Sequence, residues 1–112
     1  MIKSPITTHV LDTESGRPAQ HISVTLYEAS HNQLIANGMT DDDGRIMQWP
    51  EQFSIAPGDY RICFELSDWF LTQQRTGFYP KVSIDFSVTD PTQHYHVPLL
   101  LSAHGYSTYR GS

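Results

Sequence analysis

Alternation between apolar and polar residues is the strongest structural signal along the chain. Successive side chains of a β-strand point to opposite faces, so a stretch in which every second residue is apolar predicts a strand with one buried face. This pattern predicts seven to eight short strands, separated by turns rich in glycine, proline and aspartate. The clearest of them cover residues 6–12, 22–27, 33–39, 59–66, 82–88, 95–101 and 106–110. Short strands at this spacing are typical of an all-β, two-sheet β-sandwich.

One short helix is predicted after the strand at 59–66. Ser67 is a candidate N-cap, and the helix would run through Thr76. Gly77 would then adopt the positive φ that commonly ends helices. With no repeats, linkers or low-complexity segments, residues 1–112 are predicted to form a single domain.

The strand at 95–101 has two apolar faces of different character. Its alternate residues Tyr95, Val97, Leu99 and Leu101 are predicted to lie in the core. Its other face carries imidazole and apolar groups instead of lysine or glutamate. These are His94, His96, Pro98 and Leu100.

Two further strands have the same kind of outer face. The first strand places His9 and Leu11 opposite Thr8 and Val10. The last strand, which follows a turn at residues 103–105, is predicted to place Ser107, Tyr109 and Gly111 together. Outer faces of this composition indicate a buried surface, which would be either an interface or a pocket.

Composition and charge then exclude several classes of function. The formal net charge is −5 and there is no basic run, so nucleic acid and anionic membranes are not expected partners. No apolar run approaches the ~20 residues that span a bilayer. Residues 1–5 lack the apolar core of a secretion signal. We therefore expect a cytoplasmic protein, or a periplasmic one if a leader has been removed.

Thiol and metal chemistry are not favoured by the residues present. Cys63 is the single cysteine, and nothing beside it in sequence would activate its thiol. His94 and His96 are spaced to share a metal ion, with His9 as a third ligand, but no Cys, Asp or Glu lies in register with them. We expect no metal and no cofactor.

Four segments of the chain resemble one known enzyme family. They are THVLDTESGRPA at residues 8–19, TDDDGR at 40–45, HYHVPLLLS at 94–102 and YRGS at 109–112. Together they resemble 5-hydroxyisourate hydrolase, the transthyretin-related enzyme of urate breakdown, along the whole chain. The combination of the last two segments is highly specific for this family.

The resemblance implies a fold and an assembly. The fold would be a transthyretin-like (prealbumin-like) sandwich whose edge strands pair to form dimers, and two dimers would stack into a homotetramer. Active sites would lie in the channel between dimers, so the outer faces described above would line that channel. Where the family has a proline after LLLS, this chain has Ala103 followed by His104. That change would affect the stability of the tetramer and not the chemistry.

The resemblance also assigns residues and a reaction. The catalytic residues would be His9, Arg45 and His96. Substrate would be bound by His9, Arg45 and the terminal tetrapeptide, which comprises Tyr109, Arg110, Gly111 and Ser112. The reaction would be hydrolysis of 5-hydroxyisourate to 2-oxo-4-hydroxy-4-carboxy-5-ureidoimidazoline.

These residue types suit the hydrolysis of a ring amide. A neutral imidazole can activate a water molecule, and either His9 or His96 could be the base; we favour His9. Arg45 would bind substrate and stabilise developing negative charge. Tyr109 and the backbone at Gly111 would close the pocket, and the carboxylate of Ser112 would add a fixed charge.

Two other functions are compatible with the same fold. A transthyretin-like carrier would hold a small ligand in the channel without turnover, and it would not need paired histidines with an arginine. An adhesion or interaction domain would have no pocket at all. In that protein His9, His96 and Tyr109 would be unrelated in space.

Overall fold

The structure, a computed structural model that describes residues 3–112, consists of two β-sheets packed around one apolar core. Its elements are β1 Ile6–Asp12, β2 Arg17–Pro18, β3 Ser23–Glu28, β4 Gln33–Met39, β5 Arg45–Ile46, β6 Gly58–Glu65, α1 Ser67–Thr72, β7 Lys81–Val88, β8 Tyr95–Leu101 and β9 Tyr106–Thr108. The predicted two-sheet sandwich with one short helix is confirmed. The strand count is higher than predicted because the two-residue strands β2 and β5 lie in segments that were predicted as turns.

The topology places the first strand of the chain beside one of the last. The first sheet has the order β2-β1-β8-β9, with β5 also paired to β1, and the second has the order β4-β3-β6-β7. β1 and β8 pair in parallel from Ile6 opposite Tyr95 to Asp12 opposite Leu101. The other strand pairs in the described part of the chain are antiparallel.

The core is formed by the alternate residues that the sequence pattern assigns to it. In β8 the inward residues are Tyr95, Val97, Leu99 and Leu101, and each is at most 6% exposed. Val24 and Leu26 of β3 and Ile62 and Phe64 of β6 meet them from the second sheet and are fully buried. Each such side chain contributes roughly 1.5–3 kcal/mol of transfer free energy. This burial fixes which face of each strand points outward.

The helix differs from its prediction at both ends. Leu66, not Ser67, is the N-cap, and no side chain caps the helix. The hydroxyl of Ser67 instead donates to the Pro80 carbonyl at an O–O distance of 3.4 Å. The helix ends at Thr72, and Gln74 takes a positive φ of 56° where Gly77 was predicted to do so.

Two tertiary contacts explain the early end of the helix. The guanidinium of Arg75 lies 2.8 Å from carboxylate oxygens of both Asp12 and Glu14, so the chain turns back towards β1. Gly77 packs against the ring of Phe70, where an added Cβ would lie 2.3 Å from Cδ2. Gly77 is therefore required for close packing and not for a left-handed turn.

The last strand is also shorter than predicted, and Pro98 explains this. β9 pairs Ser107 with Leu100 and ends at Thr108, although Gly111 still bridges to His96 in the same register. Proline has no N–H to donate to the ladder. A side-chain hydrogen bond is made here instead, in which the hydroxyl of Thr108 donates to the Pro98 carbonyl at 2.7 Å.

Among residues 3–112, the structure has no helix whose length and apolarity would let it cross a membrane. The expectation drawn from residues 1–5 about a secretion signal falls partly on Met1 and Ile2, which lie outside the described residues.

Gly44 is the glycine on which the turn before β5 depends, and it provides a test of the fold. Gly44 and Gly16 share a φ of +73°, but an added Cβ would lie 2.5 Å from the Val10 carbonyl oxygen at Gly44 and would meet nothing within 4 Å at Gly16. Both alanine variants lose about 1–2 kcal/mol from the backbone conformation. We expect Gly44→Ala to lose about 1–3 kcal/mol more in urea unfolding, because the turn must also move away from β1.

Gly16→Ala is the matched control for that experiment, because it carries the same backbone strain without the contact. Equal losses of unfolding free energy in the two variants would contradict the close approach of this turn to β1.

Candidate active site

The parallel pairing of β1 with β8 brings two histidines onto one face. His96 lies opposite Thr7, and His9 lies opposite Pro98. Residues paired across a sheet project from the same side. His9 and His96 therefore both project from the outer face of the first sheet, where each is half-buried. We call this surface, formed by Thr7, His9, Arg45, His94 and His96, the imidazole face.

Arg45 joins this face through β5, where it is paired with His9. The turn that precedes it is held by Asp41, whose carboxylate accepts hydrogen bonds from the backbone N–H groups of Asp43 and Arg45 at 2.9 Å. Gly44, with its positive φ, completes the reversal. The carboxylate of Asp41 is thus used within the turn, and the turn serves to place the arginine.

The C-terminal segment covers one side of His96. The N–H of Gly111 donates to the His96 carbonyl at 2.8 Å. A Cβ on Gly111 would lie 2.4 Å from Cδ2 of the His96 ring. This contact requires glycine at position 111 and holds the plane of the imidazole.

The other members of the terminal tetrapeptide are placed differently. Tyr109 is exposed, as is Ser112. Arg110 stacks on the ring of Tyr95 with 4.5 Å between its guanidinium carbon and the ring centroid, and it donates to Gln93 at 2.9 Å. These contacts join the Arg110 guanidinium to Tyr95, which faces the core side of β8, and to Gln93.

Thr7 is a site residue that the sequence reasoning missed. It is fully buried, and its hydroxyl lies 2.7 Å from Nδ1 of His96 and 2.9 Å from Nε2 of His94. The alternation in β1 contains the signal that could have found it, because Thr7 shares a face with His9. A threonine in a buried strand is usually assigned to packing, so its contact with two histidines became visible only once β8 was placed.

Electrostatics keep the imidazoles of this face neutral. Burial, and next the charge of Arg45, lowers the pKa of His9. A backbone hydrogen bond with Asp43 and the charges of Asp41 and Asp43 act in the opposite direction, but the net pKa remains below its ordinary value. His9 is therefore mainly unprotonated at neutral pH, which is the form that can accept a proton.

The pKa of His96 is lowered in the same direction. Burial is the largest cause, followed by repulsion from the positive charges of Arg45 and Lys3 and from those that His94 and His9 would carry if protonated. Burial and Lys3 also lower the pKa of His94. Three imidazoles beside an arginine thus avoid mutual repulsion by remaining neutral.

Metal-ligand clusters and cavities determine what the imidazole face of one chain can hold. Within residues 3–112, no three His, Cys, Asp or Glu side chains are arranged to hold a metal ion. A groove of about 690 Å³ beside Lys3 and Trp49 contains none of the predicted site residues. A cavity of about 220 Å³ between β7 and the C-terminal segment reaches His96 and Tyr109 but not His9 or Arg45. Neither of these two spaces joins His9, Arg45 and His96.

The fold and the candidate site together define the class of this protein. The class is that of two-sheet β-sandwiches that carry a histidine pair and an arginine on the outer face of one sheet. Neutral imidazoles can accept or share protons, and a guanidinium beside them can bind a polar, electron-rich ring.

Comparison with known proteins identifies the family. The model of the HIUase/Transthyretin family matches residues 6–111. The 5-hydroxyisourate hydrolase of Salmonella dublin is 43% identical over 110 residues, which cover 96% of this chain and 80% of that one. The chain belongs to the HIUase/Transthyretin family.

Solved structures confirm the transthyretin-like fold. The structure of Klebsiella pneumoniae 5-hydroxyisourate hydrolase matches with a TM-score of 0.85 at 33% identity, covering 96% of this chain and 97% of that one. The crystal structure of transthyretin from Sparus aurata matches with a TM-score of 0.83 at 27% identity, covering 97% of each chain. The fold is therefore shared by proteins of both names, and the side chains on it must separate their functions.

The neutral state of the imidazole face can be tested by titration. We expect the NMR titration midpoints of the His9 and His96 rings to fall below about pH 6.5, the ordinary imidazole value. Arg45→Gln removes a cation that lowers both pKa values, so both midpoints should rise.

Arg61→Gln is the matched control for this titration. Arg61 belongs to the other sheet and pairs with Asp85 at 2.8 Å, so its loss should leave both midpoints in place. Midpoints at or above pH 6.5 in the wild-type chain, or no response to Arg45→Gln, would contradict the electrostatic description.

Proposed function

We propose that this chain hydrolyses 5-hydroxyisourate to 2-oxo-4-hydroxy-4-carboxy-5-ureidoimidazoline in urate degradation. The observation that carries the proposal is the convergence of His9, Arg45 and His96 on one face, from strands that lie far apart in sequence. Relatives that carry the name 5-hydroxyisourate hydrolase support it. No cofactor is needed, because water, a base and charge stabilisation are sufficient to hydrolyse an amide.

In the proposed mechanism, His9 is the general base. Its lowered pKa keeps it unprotonated, so it can take a proton from water as the water oxygen attacks the carbonyl carbon. The imidazolium that forms then donates this proton to the leaving nitrogen of the substrate ring as the carbon–nitrogen bond of the substrate breaks. The net change is the addition of one water molecule, and His9 ends in its starting state.

Arg45 and His96 stabilise the charge that develops on the carbonyl oxygen. Arg45 is charged at any working pH and offers a planar set of donors to an oxidised purine. His96 is held more firmly than His9, because Thr7 contacts its Nδ1 and Gly111 packs on its Cδ2. Tyr109 and Ser112 would bind substrate from the C-terminal segment, whereas the position of Arg110 on Tyr95 supports an indirect role.

We propose that the working unit is a homotetramer, a dimer of dimers. Neither space described above joins His9, Arg45 and His96 within one chain, and a second copy stacked on the imidazole face would form a channel and exclude water from it. β7 and β9 are sheet edges, and unpaired edges favour pairing with another chain. The single domain predicted over residues 1–112 would be the repeating unit.

An exposed aromatic cluster lies at the turn that would meet the partner dimer. Phe78 and Tyr106 are 70% and 43% exposed and both contact Tyr79 edge to face. The N–H of Phe78 donates to the Ala103 carbonyl at 2.7 Å, so the cluster and the Ala103 turn are one structural unit. Burial of this cluster between dimers would compensate for the proline that the turn lacks.

A carrier without turnover is the alternative function. The TM-score to a transthyretin shows that the backbone does not distinguish the two functions. The two histidines and the arginine favour the hydrolase, because an apolar ligand gains little from neutral imidazoles beside a guanidinium.

The deciding experiment generates 5-hydroxyisourate in place with urate oxidase and follows its ultraviolet decay. We expect micromolar protein to accelerate the decay, and His96→Asn to reduce kcat/KM by about 10²-fold or more, the usual scale for losing a group that stabilises the developing oxyanion. His31→Asn is the control, since His31 is exposed and pairs with Glu28 far from the imidazole face.

The remaining outcomes are equally informative. Unchanged decay with the wild-type chain would remove the hydrolase function, and saturable binding without turnover would then favour the carrier. Near-normal turnover by His96→Asn would remove His96 from the mechanism. Activity should survive chelation; loss that zinc restores would replace the water-base mechanism with a metal-assisted one.

A further inference from the structure

The hydroxyl of Thr7 contacts two histidines: His96, which belongs to β8, and His94, which directly precedes β8. Thr7 Oγ1 lies 2.7 Å from Nδ1 of His96 and 2.9 Å from Nε2 of His94. The two rings lie side by side, with centroids 6.3 Å apart and planes inclined by 25°. Thr7 itself is fully buried, so this hydroxyl has no access to bulk water. Its hydrogen bonds must be made with the two rings.

The single proton of this hydroxyl restricts which nitrogen of each imidazole ring can carry a proton. A threonine hydroxyl has one proton, so it donates to one ring nitrogen and accepts from the other. If it donates to His96, then neutral His96 carries its proton on Nε2 and His94 donates to Thr7. If it donates to His94, then His96 carries its proton on Nδ1 and presents a bare Nε2.

Three arguments favour donation to His96. The contact to His96 is the shorter of the two, at 2.7 Å against 2.9 Å, which agrees with an O–H donor to His96 and an N–H donor from His94. Donation to His96 also persists when His94 is protonated, because a protonated His94 still donates from Nε2. Finally, His9 already supplies a proton acceptor on this face. A donor from His96 therefore complements it.

We propose that Thr7 is a positioning residue, which holds His96 in the Nε2–H tautomer through the chain His94 to Thr7 to His96. His96 then presents a neutral N–H to the substrate oxygen, while His9 moves the proton. A neutral imidazole that donates a hydrogen bond to a carbonyl is an established catalytic device. The kinetic part of this inference rests on the proposed hydrolase function, whereas the tautomer part does not.

The test reads the tautomer directly. The full chain is labelled with ¹⁵N-histidine, and the His96 signals are identified as those missing from His96→Asn. We expect a pyrrole-type Nε2 and a pyridine-type Nδ1 for His96 in the wild-type chain. Thr7→Val removes the hydroxyl at nearly constant shape, so the tautomer should become mixed. Thr7→Ser retains the hydroxyl and should restore the wild-type pattern.

Kinetics supply the second readout. We expect Thr7→Val to reduce kcat about ten-fold or more, with a smaller change in KM, because the hydrogen bond from His96 strengthens as the oxyanion forms. Thr8→Val is the matched control. Thr8 is also fully buried, but its hydroxyl donates to the Val97 carbonyl at 2.6 Å on the core side, so its loss should leave the His96 tautomer unchanged.

Each result bears on one part of the inference. A proton on Nδ1 of His96 in the wild-type chain would overturn it, and that measurement needs no variant to fold. An unchanged His96 tautomer in Thr7→Val would also overturn it, whatever the kcat. A wild-type chain with the Nε2–H tautomer but no turnover would refute the hydrolase function and leave the role of Thr7 in place.

Discussion

The parallel pairing of β1 with β8 is the interaction on which the site depends. Thr7 and His96 are 89 positions apart in sequence, yet this pairing sets them opposite each other and sets His9 opposite Pro98. Side chains alternate across a strand, so a shift of one residue would turn the imidazole of the shifted strand into the core. The buried residues of the inner face prevent such a shift. The hydrophobic core therefore determines the geometry of a polar site that it does not touch.

Local features then position the individual side chains that the pairing of β1 with β8 brings to one face. The turn at Gly44 places Arg45 beside His9, and the close approach of Gly111 holds the ring of His96. Pro98 interrupts the ladder to the last strand, and the C-terminal segment resumes the pairing at Gly111, opposite His96 and in the same register. Gly44, Pro98 and Gly111 are small or conformationally restricted. Each acts by positioning a neighbouring residue of the site.

The sequence predicted those features that depend on local pattern. Alternation correctly divided β8 into a core face and an outer face, because burial of one face is a local property of a strand. The end of helix α1 was predicted wrongly, since the pull of Asp12 and Glu14 on Arg75 is a long-range contact. The stacking of Arg110 on Tyr95 is likewise a contact that no local pattern predicts.

The candidate site also combines features that could be predicted from the sequence with features that depend on long-range contacts. Its residues were named through a family resemblance, and their proximity follows only from the order of strands in the first sheet. Thr7 was missed because its role depends on two histidines that are distant in sequence. We propose that this outer face becomes a reaction site when a second copy of the chain covers it.

We propose that a second copy completes the site, and dilution tests this proposal most directly. Specific activity and sedimentation are measured across the same range of protein concentration. We expect activity to fall in parallel with dissociation of the proposed tetramer and to return when the chains reassociate. Full specific activity in the dissociated chain would contradict it.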